Sequence, residues 1–300
     1  MTTTDERAAR IASVGFDYTT REHEPVAACN LCGSTEHVEV SRRDRYGYPA
    51  SLHVCVRCGL GFLSPRLTAT EYAAFYEGVY RPLVSAYHGR RIDAETVQVD
   101  QRAYAAELVD FLRRRLPHPP ASVLDVGGST GIVAAAVRDA FQADATVLDP
   151  APDELEIAAA AGLETVAGFA EDFDPGARRW ELVLLCQTVD HLLDVSATLA
   201  SMRRMTAEGG HAFVDVLDLM LAVRRQGSVE GAVKIDHPYY LTRETAQAYF
   251  LRAGLEPVSE QLSGDGHWGF VLAPGEPREP DWDRLQATAH AGLAELRELG

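Results

Sequence analysis

The clearest hydrophobic pattern in the chain is Val123-Leu124-Asp125-Val126, an apolar run broken by one acid and closed by Gly127 and Gly128. Such a run predicts a strand buried on both faces, followed by a turn in which glycine lets the backbone fold tightly. Ile132 to Arg138 then predicts a helix. The alternation continues with strands at Ala145–Asp149, Glu181–Leu185 and Gly210–Val216, and with helices at Ala197–Met205 and at Arg243–Ala253, begun by Thr242. Strands alternating with helices predict an α/β fold built on a parallel sheet. Glu256–Gln261 and Trp268–Ala273, joined by Ser263-Gly264-Asp265-Gly266, predict a closing antiparallel hairpin.

Upstream the pattern changes. His37–Val40 and Ser51–Val54 alternate as short strands of a small ribbon, and Ser64-Pro65-Arg66-Leu67 ends that segment. Thr68-Ala69-Thr70-Glu71 has the form of a capping box opening a helix through Ala74 and Tyr76. A longer helix is predicted from Glu95 to Arg115, stopped by Pro117, Pro119 and Pro120. Arg224 to Val233 is expected to be a mobile loop. Trp282–Leu299 has leucine and alanine at helical spacing, a helix to pack on the body or on a second subunit as a homodimer.

Spacing decides what the glycine turn can hold. A dinucleotide turn needs glycine at the first, third and sixth positions, but counting from Gly127 the last two are Ser129 and Ile132. Asp125 also stands where its charge would repel a pyrophosphate, whereas a zwitterionic amino acid tail tolerates it. Asp149 ends the next strand with a carboxylate able to accept hydrogen bonds from both hydroxyls of a ribose.

Asp125, Gly127, Gly128, Ser129, Gly131 and Asp149 together resemble motif I and the acidic strand end of class I S-adenosylmethionine-dependent methyltransferases. The family usually has glycine where Ser129 stands. The resemblance continues through Gly168-Phe169-Ala170-Glu171-Asp172-Phe173. There the family often carries an acid near the adenine, and Phe169 at that place passes the contact to Glu171 or Asp172. It extends to Glu181–His191, a strand with an exit loop containing Gln187, a cofactor-binding candidate, and Asp190-His191, similar to the family's Leu-Glu-His. The resemblance implies a Rossmann-like domain with a mostly parallel seven-stranded sheet, binding S-adenosylmethionine over about 121–274. A nicotinamide oxidoreductase would need the missing glycines.

A second signal lies in Cys29-Asn30-Leu31-Cys32-Gly33 and Cys55-Val56-Arg57-Cys58-Gly59, two CxxCG knuckles separated by 22 residues. Four thiolates so placed can close a tetrahedral zinc site. Redox dithiols of the thioredoxin type come singly in a βαβ setting, so the doubled pattern favours structural Zn2+ held by Cys29, Cys32, Cys55 and Cys58. Four cysteines leave no open position for water or substrate. The paired-cysteine module makes the chain similar to sugar-nucleotide C-methyltransferases, which it departs from in being shorter at the C-terminal end. A zinc-ribbon interaction protein with a vestigial cofactor fold is the rival class.

Composition narrows the partners. The net charge of −16, from 28 basic and 44 acidic residues, weighs against nucleic acid, and Arg113-Arg114-Arg115, the longest basic run, suits a helix end. No stretch reaches the length of a membrane span and no signal peptide is visible, so a cytoplasmic enzyme with a small-molecule substrate is expected. The boundaries read as a polar leader at 1–27, a zinc ribbon at 28–64, a helical cap at 65–120, the methyltransferase domain at 121–274 and a terminal helix at 275–300.

For proton removal, His191 at the exit of a parallel strand lies on the edge where open α/β sheets bind ligands, and Asp190 could orient it. A helix-start histidine that packs is the plainer reading. Asp236-His237-Pro238-Tyr239-Tyr240 resembles the His-x-x-Tyr segment of zinc-ribbon methyltransferases, which makes His237 a second candidate and the tyrosines a pocket lining, against a plain turn with an aromatic staple. The expected reaction is methylation of a small hydroxylated metabolite, a sugar nucleotide or natural-product intermediate.

Overall fold

Four crossings of the chain divide it into two compact units, one formed by the residues through 97 with 218–242 and 281–300, the other by 98–217 and 243–280. The computed structural model describes residues 4–92 and 94–300; the start of the expected leader, Met1–Thr3, lies outside the described residues.

In chain order the strands used below are β1 (His37–Ser41), β2 (Leu52–Cys55), β3 (Gly61–Leu63), β4 (Ser122–Val126), β5 (Asp144–Asp149), β6 (Glu164–Ala167), β7 (Trp180–Leu185), β8 (Thr206–Leu217), β9 (Tyr239–Tyr240), β10 (Leu255–Leu262) and β11 (His267–Pro274). The second unit carries a seven-stranded sheet in the order β10-β11-β8-β7-β4-β5-β6. Strands β6, β5, β4, β7 and β8 are parallel, while β11 runs antiparallel to both β8 and β10. The predicted α/β architecture and its closing hairpin are therefore present.

Burial explains why the central strands read so clearly. Val123, Leu124, Leu182, Val183, Leu184, Leu185, Val147 and Val214 are wholly buried, as apolar runs covered on both faces must be. The helix Ala94–Arg115 lays Leu108, Phe111 and Leu112 on the sheet, where Phe111 meets Phe213 edge-on at 5.9 Å. Helix Ile132–Phe141 buries Val133, Ala134 and Val137. In the second unit the helix Pro152–Ala160 and β6 had no counterpart in the sequence reading. The latter is an edge strand of four residues with both ends exposed, so it lacks the apolar run that marks its neighbours.

The first unit holds a four-stranded antiparallel sheet in the order β9-β3-β2-β1. Its fourth strand comes from the segment 218–242, with Tyr239 opposite Phe62 and Tyr240 opposite Gly61. Both tyrosines are buried and their hydroxyls are engaged: Arg66 donates to Tyr239 Oη at 3.2 Å, and Tyr240 Oη joins the backbone N–H and C=O of Lys234, each at 2.7 Å.

Arg224–Val233 is not a loose loop. It contains the end of helix Leu219–Gln226 and the short helix Val229–Ala232, with Asp218 and Ser228 capping the two N-termini and Val223, Val229 and Val233 buried. Arg224, Arg225 and Gln226 end the first of these helices, and Arg224 makes a two-pronged ion pair with Glu295 at 2.6 and 2.8 Å. The terminal helix Trp282–Leu299 packs on its own unit, burying Leu285, Ala289, Leu293 and Leu296, with Ala289 over Gly59 and the Arg57 guanidinium 4.7 Å from the Trp282 ring. Within 1–27, the helix Thr4–Ala12 is tied down by Arg10 Nε donating to Ala86 O at 2.9 Å, and Tyr18 is buried.

Candidate active site

The parallel strands bring the predicted cofactor residues to the carboxyl edge of one sheet. Asp125 is the penultimate residue of β4 and is 1% exposed. Neither of its carboxylate oxygens has a partner at hydrogen-bond geometry, although the Ala134 amide lies near enough to pull on the charge. Burial dominates and pushes the carboxyl up to about 7.

Glycine is needed around it for definite reasons. A Cβ on Gly128 would stand 2.8 Å from both Cγ and Oδ2 of Asp125, so the missing side chain leaves the space in front of that carboxylate. Gly131 adopts φ +76° and starts the helix Ile132–Phe141 with no side-chain cap, leaving the helix N-terminus facing the turn. Ser129, at the place of the family's middle glycine, is accommodated in the left-handed region at φ +51°. Its N–H donates to Asp149 Oδ2 at 2.9 Å and its hydroxyl to Glu154.

Asp149 ends β5 with Oδ1 accepting from the Ala151 amide at 2.8 Å and Oδ2 from Ser129. Each oxygen retains a further lone pair for a ligand hydroxyl. Burial raises this carboxyl too. Gly168 follows β6, and in the segment after it Glu171 accepts from the Thr198 hydroxyl at 3.3 Å, while Asp172 is exposed and Phe169 is 56% exposed.

Gln187 leaves β7 at φ +50° and is exposed. The adjoining Thr188 methyl lies 2.8 Å from where a Cβ on Gly127 would be, so this exit loop abuts the glycine turn. Asp190 and His191 follow in a single turn, Val189–His191, with the His191 amide donating to Thr188 O at 3.0 Å.

Two further groups at this edge were missed by the sequence reading. Asp215, near the end of β8, is 3% exposed; its Oδ1 accepts from the Gln187 amide at 2.6 Å and its Oδ2 from the Tyr104 hydroxyl at 2.8 Å. Burial pushes it up to about 6. The signal was available, because Phe213-Val214-Asp215-Val216 sets an acid in an apolar strand just as Leu124-Asp125-Val126 does.

In the other unit, His237 is buried, with Nε2 3.1 Å from Lys234 Nζ and 3.5 Å from Asp236 Oδ2. There too the sulfurs of Cys29, Cys32, Cys55 and Cys58 all lie within 4.8 Å of one another, the closest pairs being Cys29–Cys58 at 3.4 Å and Cys32–Cys55 at 3.5 Å. A tetrahedron of bonds near 2.3 Å has edges of ~3.8 Å, so the donor set fits a tetracoordinate soft cation. Hydrogen bonding within the cluster pulls Cys32 down to about 7 and Cys55 below the thiol range while pushing Cys29 and Cys58 above it. Gly33 and Gly59, at φ +71° and +81°, turn each knuckle back so that their amides donate to the Cys29 and Cys55 carbonyls at 2.8 and 2.9 Å.

Residues 98–260, more than half of the chain, match the family model described as methyltransferase domain. The chain belongs to this family, and it is a methyltransferase. No curated protein sequence matches it. Among solved structures, the PH0226 protein of Pyrococcus horikoshii OT3 shares the fold at 14% identity and a TM-score of 0.51, over 58% of this chain and 90% of that one. An S-adenosylmethionine-dependent methyltransferase of Clostridium acetobutylicum is similar at 11% identity and TM-score 0.48, over 69% of this chain and 99% of that one. DesVI of Streptomyces venezuelae follows at 20% identity and 0.45, over 69% and 98%. No helix of the described residues is long and apolar enough to cross a membrane.

Proposed function

We propose that this methyltransferase acts on a small hydroxylated metabolite, a sugar nucleotide or natural-product intermediate, with S-adenosylmethionine held at the carboxyl edge of the parallel strands. The carrying observation is Asp125, a buried carboxylate with no partner behind a glycine that leaves its face open. The ammonium end of a zwitterionic amino acid tail suits it best, because burial makes that charge costly until an opposite one arrives.

In this reading the backbone of Gly127, Gly128, Ser129 and Gly131 approaches the methionine end of the cofactor, Asp149 accepts from the ribose hydroxyls, Glu171 or Asp172 meets the adenine and Gln187 lies at the cofactor's edge. When bound, the cofactor supplies a sulfonium methyl for in-line displacement. The protein's part is to align the acceptor and, where the accepting atom carries a proton, to remove it. His191 is the first base, oriented by Asp190, and His237 the second. Cys29, Cys32, Cys55 and Cys58 hold Zn2+ in a structural role.

Calorimetry of the zinc-loaded protein is expected to give micromolar binding of S-adenosylmethionine and S-adenosylhomocysteine and none of NAD. Affinity should also follow the ionisation of Asp125, falling about tenfold from its alkaline plateau on going to pH 6. Because this carboxyl titrates higher in the folded chain than in the unfolded one, its contribution to stability is present below the unfolded value and lost as pH rises through about 7. The ligand-induced rise in melting temperature should accordingly grow with pH, and Asp125→Asn should flatten both trends. A pH-independent affinity would remove Asp125 from the cofactor site. Loss of turnover in His191→Gln with unchanged cofactor affinity would identify the base, and an unaffected His191→Gln would pass the role to His237.

A further inference from the structure

Beside the cofactor edge, the second unit contains a cavity of about 90 Å³ between the helix Ala94–Arg115 and the end of the sheet formed by β8, β10 and β11. Its apolar wall is Phe111 and Phe213, and its polar wall includes Tyr104, Asp215, Asp265 and His267. Gly269, opposite Asp215 in the β8–β11 register, keeps it open, since a Cβ there would stand 3.2 Å from the Phe213 ring.

The cavity is distinct from the cofactor edge. None of the residues lining it belongs to the Gly127–Gly131 turn or to β5, and β7 separates β8 from β4 in the sheet. It is nevertheless connected to that edge. Asp215, one of the residues lining the cavity, also holds the Gln187 amide, and the loop after Gln187 abuts Gly127.

Charge selects the occupant. Among the described residues that line the cavity there are three carboxylates, Glu107, Asp215 and Asp265, and no lysine or arginine; His267 has Nδ1 3.0 Å from Asp265 Oδ2. A phosphate or carboxylate would meet three carboxylates there, offset only by the His267 imidazole, which is already paired with Asp265. An ammonium group would find acceptors on the polar side and, on the other, aromatic rings of the kind that attract cations.

We propose that this cavity receives one end of the methyl acceptor, a protonated amine with the adjoining carbon skeleton against Phe111 and Phe213, while the accepting atom lies at the cofactor edge. The proposal rests on the methyltransferase reading and deepens it: the hydroxylated metabolite is an amino-bearing one, and any phosphate it carries lies outside this cavity.

Three probes of matched size test this on the full, zinc-loaded chain: cyclohexylamine, cyclohexanol and cyclohexyl phosphate, titrated by NMR with and without S-adenosylhomocysteine. The amine is expected to bind about tenfold tighter than the alcohol, the gain of one partly desolvated ion pair, with the phosphate weakest. Asp265→Asn should remove most of that preference while S-adenosylhomocysteine binds as before, and Gly269→Leu should exclude all three probes. Equal binding of amine and alcohol, tighter binding of the phosphate, or an amine preference that survives Asp265→Asn and Asp215→Asn alike would overturn the proposal. Failure of S-adenosylhomocysteine to bind would strike the cofactor reading instead, because the amine preference is also read without it.

Discussion

Changing Cys55 to serine is expected to unfold the unit that contains the four cysteines rather than merely weaken it. The four sulfurs are gathered within 4.8 Å, and thiolates that close cannot coexist without a cation between them. Structural zinc contributes roughly 10–16 kcal/mol in small zinc modules, against the ~5–15 kcal/mol that separates a whole domain from its unfolded state. Cys55 is also the point from which the effect spreads. It ends β2, its amide donates to Leu60 O at 2.9 Å, and the second knuckle lies under Ala289 of the terminal helix through Gly59. Loss of the knuckle should therefore expose the amides of β2 and β3, of β9 paired to them and of Trp282–Leu299 together. Metal analysis and hydrogen exchange check this: the variant should hold no stoichiometric zinc and lose protection across those segments, and a strong chelator should do the same to the wild type. A zinc-free Cys55→Ser chain with undiminished protection would show that the cysteines are packing residues only.

What the sequence made legible follows from how each element earns its burial. Val123–Val126 and Ala145–Asp149 lie in mid-sheet and must be apolar on both faces, so their runs stand out and their acids with them. Helix Arg243–Ala253 was bounded by its own composition, and the Ser263–Gly266 turn declared the hairpin. Where stability comes from distant partners, the local pattern is silent. Tyr239-Tyr240 forms a strand of two residues only because β3 offers Gly61 and Phe62 to pair with, and a Cβ at Gly61 would stand 2.9 Å from that of Tyr240. The buried valines of Arg224–Val233 are spaced among polar residues whose work is done by distant or capping contacts, Arg224 pairing with Glu295 and Ser228 capping the short helix, so no local apolar run marks the segment as ordered. In the candidate site, residues marked by glycine geometry were found, whereas Tyr104 was not. Its role depends on a hydroxyl reaching Asp215, 111 positions away in sequence, and nothing local announces it.

Two glycines of the same turn should respond to alanine in opposite ways, and the contrast separates scaffold from ligand site. At Gly131 the residue sits at φ +76°, which costs a side chain roughly 1–2 kcal/mol. Its Cβ would also lie 2.3 Å from Leu163 Cδ1, 3.1 Å from Ala158 Cβ and 3.3 Å from Val147 Cγ2. Leu163 can swing, but it is itself buried among the helix Pro152–Ala160 and β5, so overpacking adds about 1–3 kcal/mol. Gly131→Ala should thus lower the melting temperature sharply. At Gly128 the new methyl meets the Asp125 carboxylate at 2.8 Å and no other group so closely, so the fold absorbs it by turning that side chain. Stability should change little, while affinity for S-adenosylhomocysteine falls about 100-fold, because the carboxylate is displaced and its open face is filled. Thermal melting and calorimetry on both variants read the two effects separately. Wild-type affinity in Gly128→Ala would mean that the space before Asp125 is a packing accident. Retained stability with lost affinity would mean that the buried, unpartnered charge of Asp125 is kept for the ligand that neutralises it.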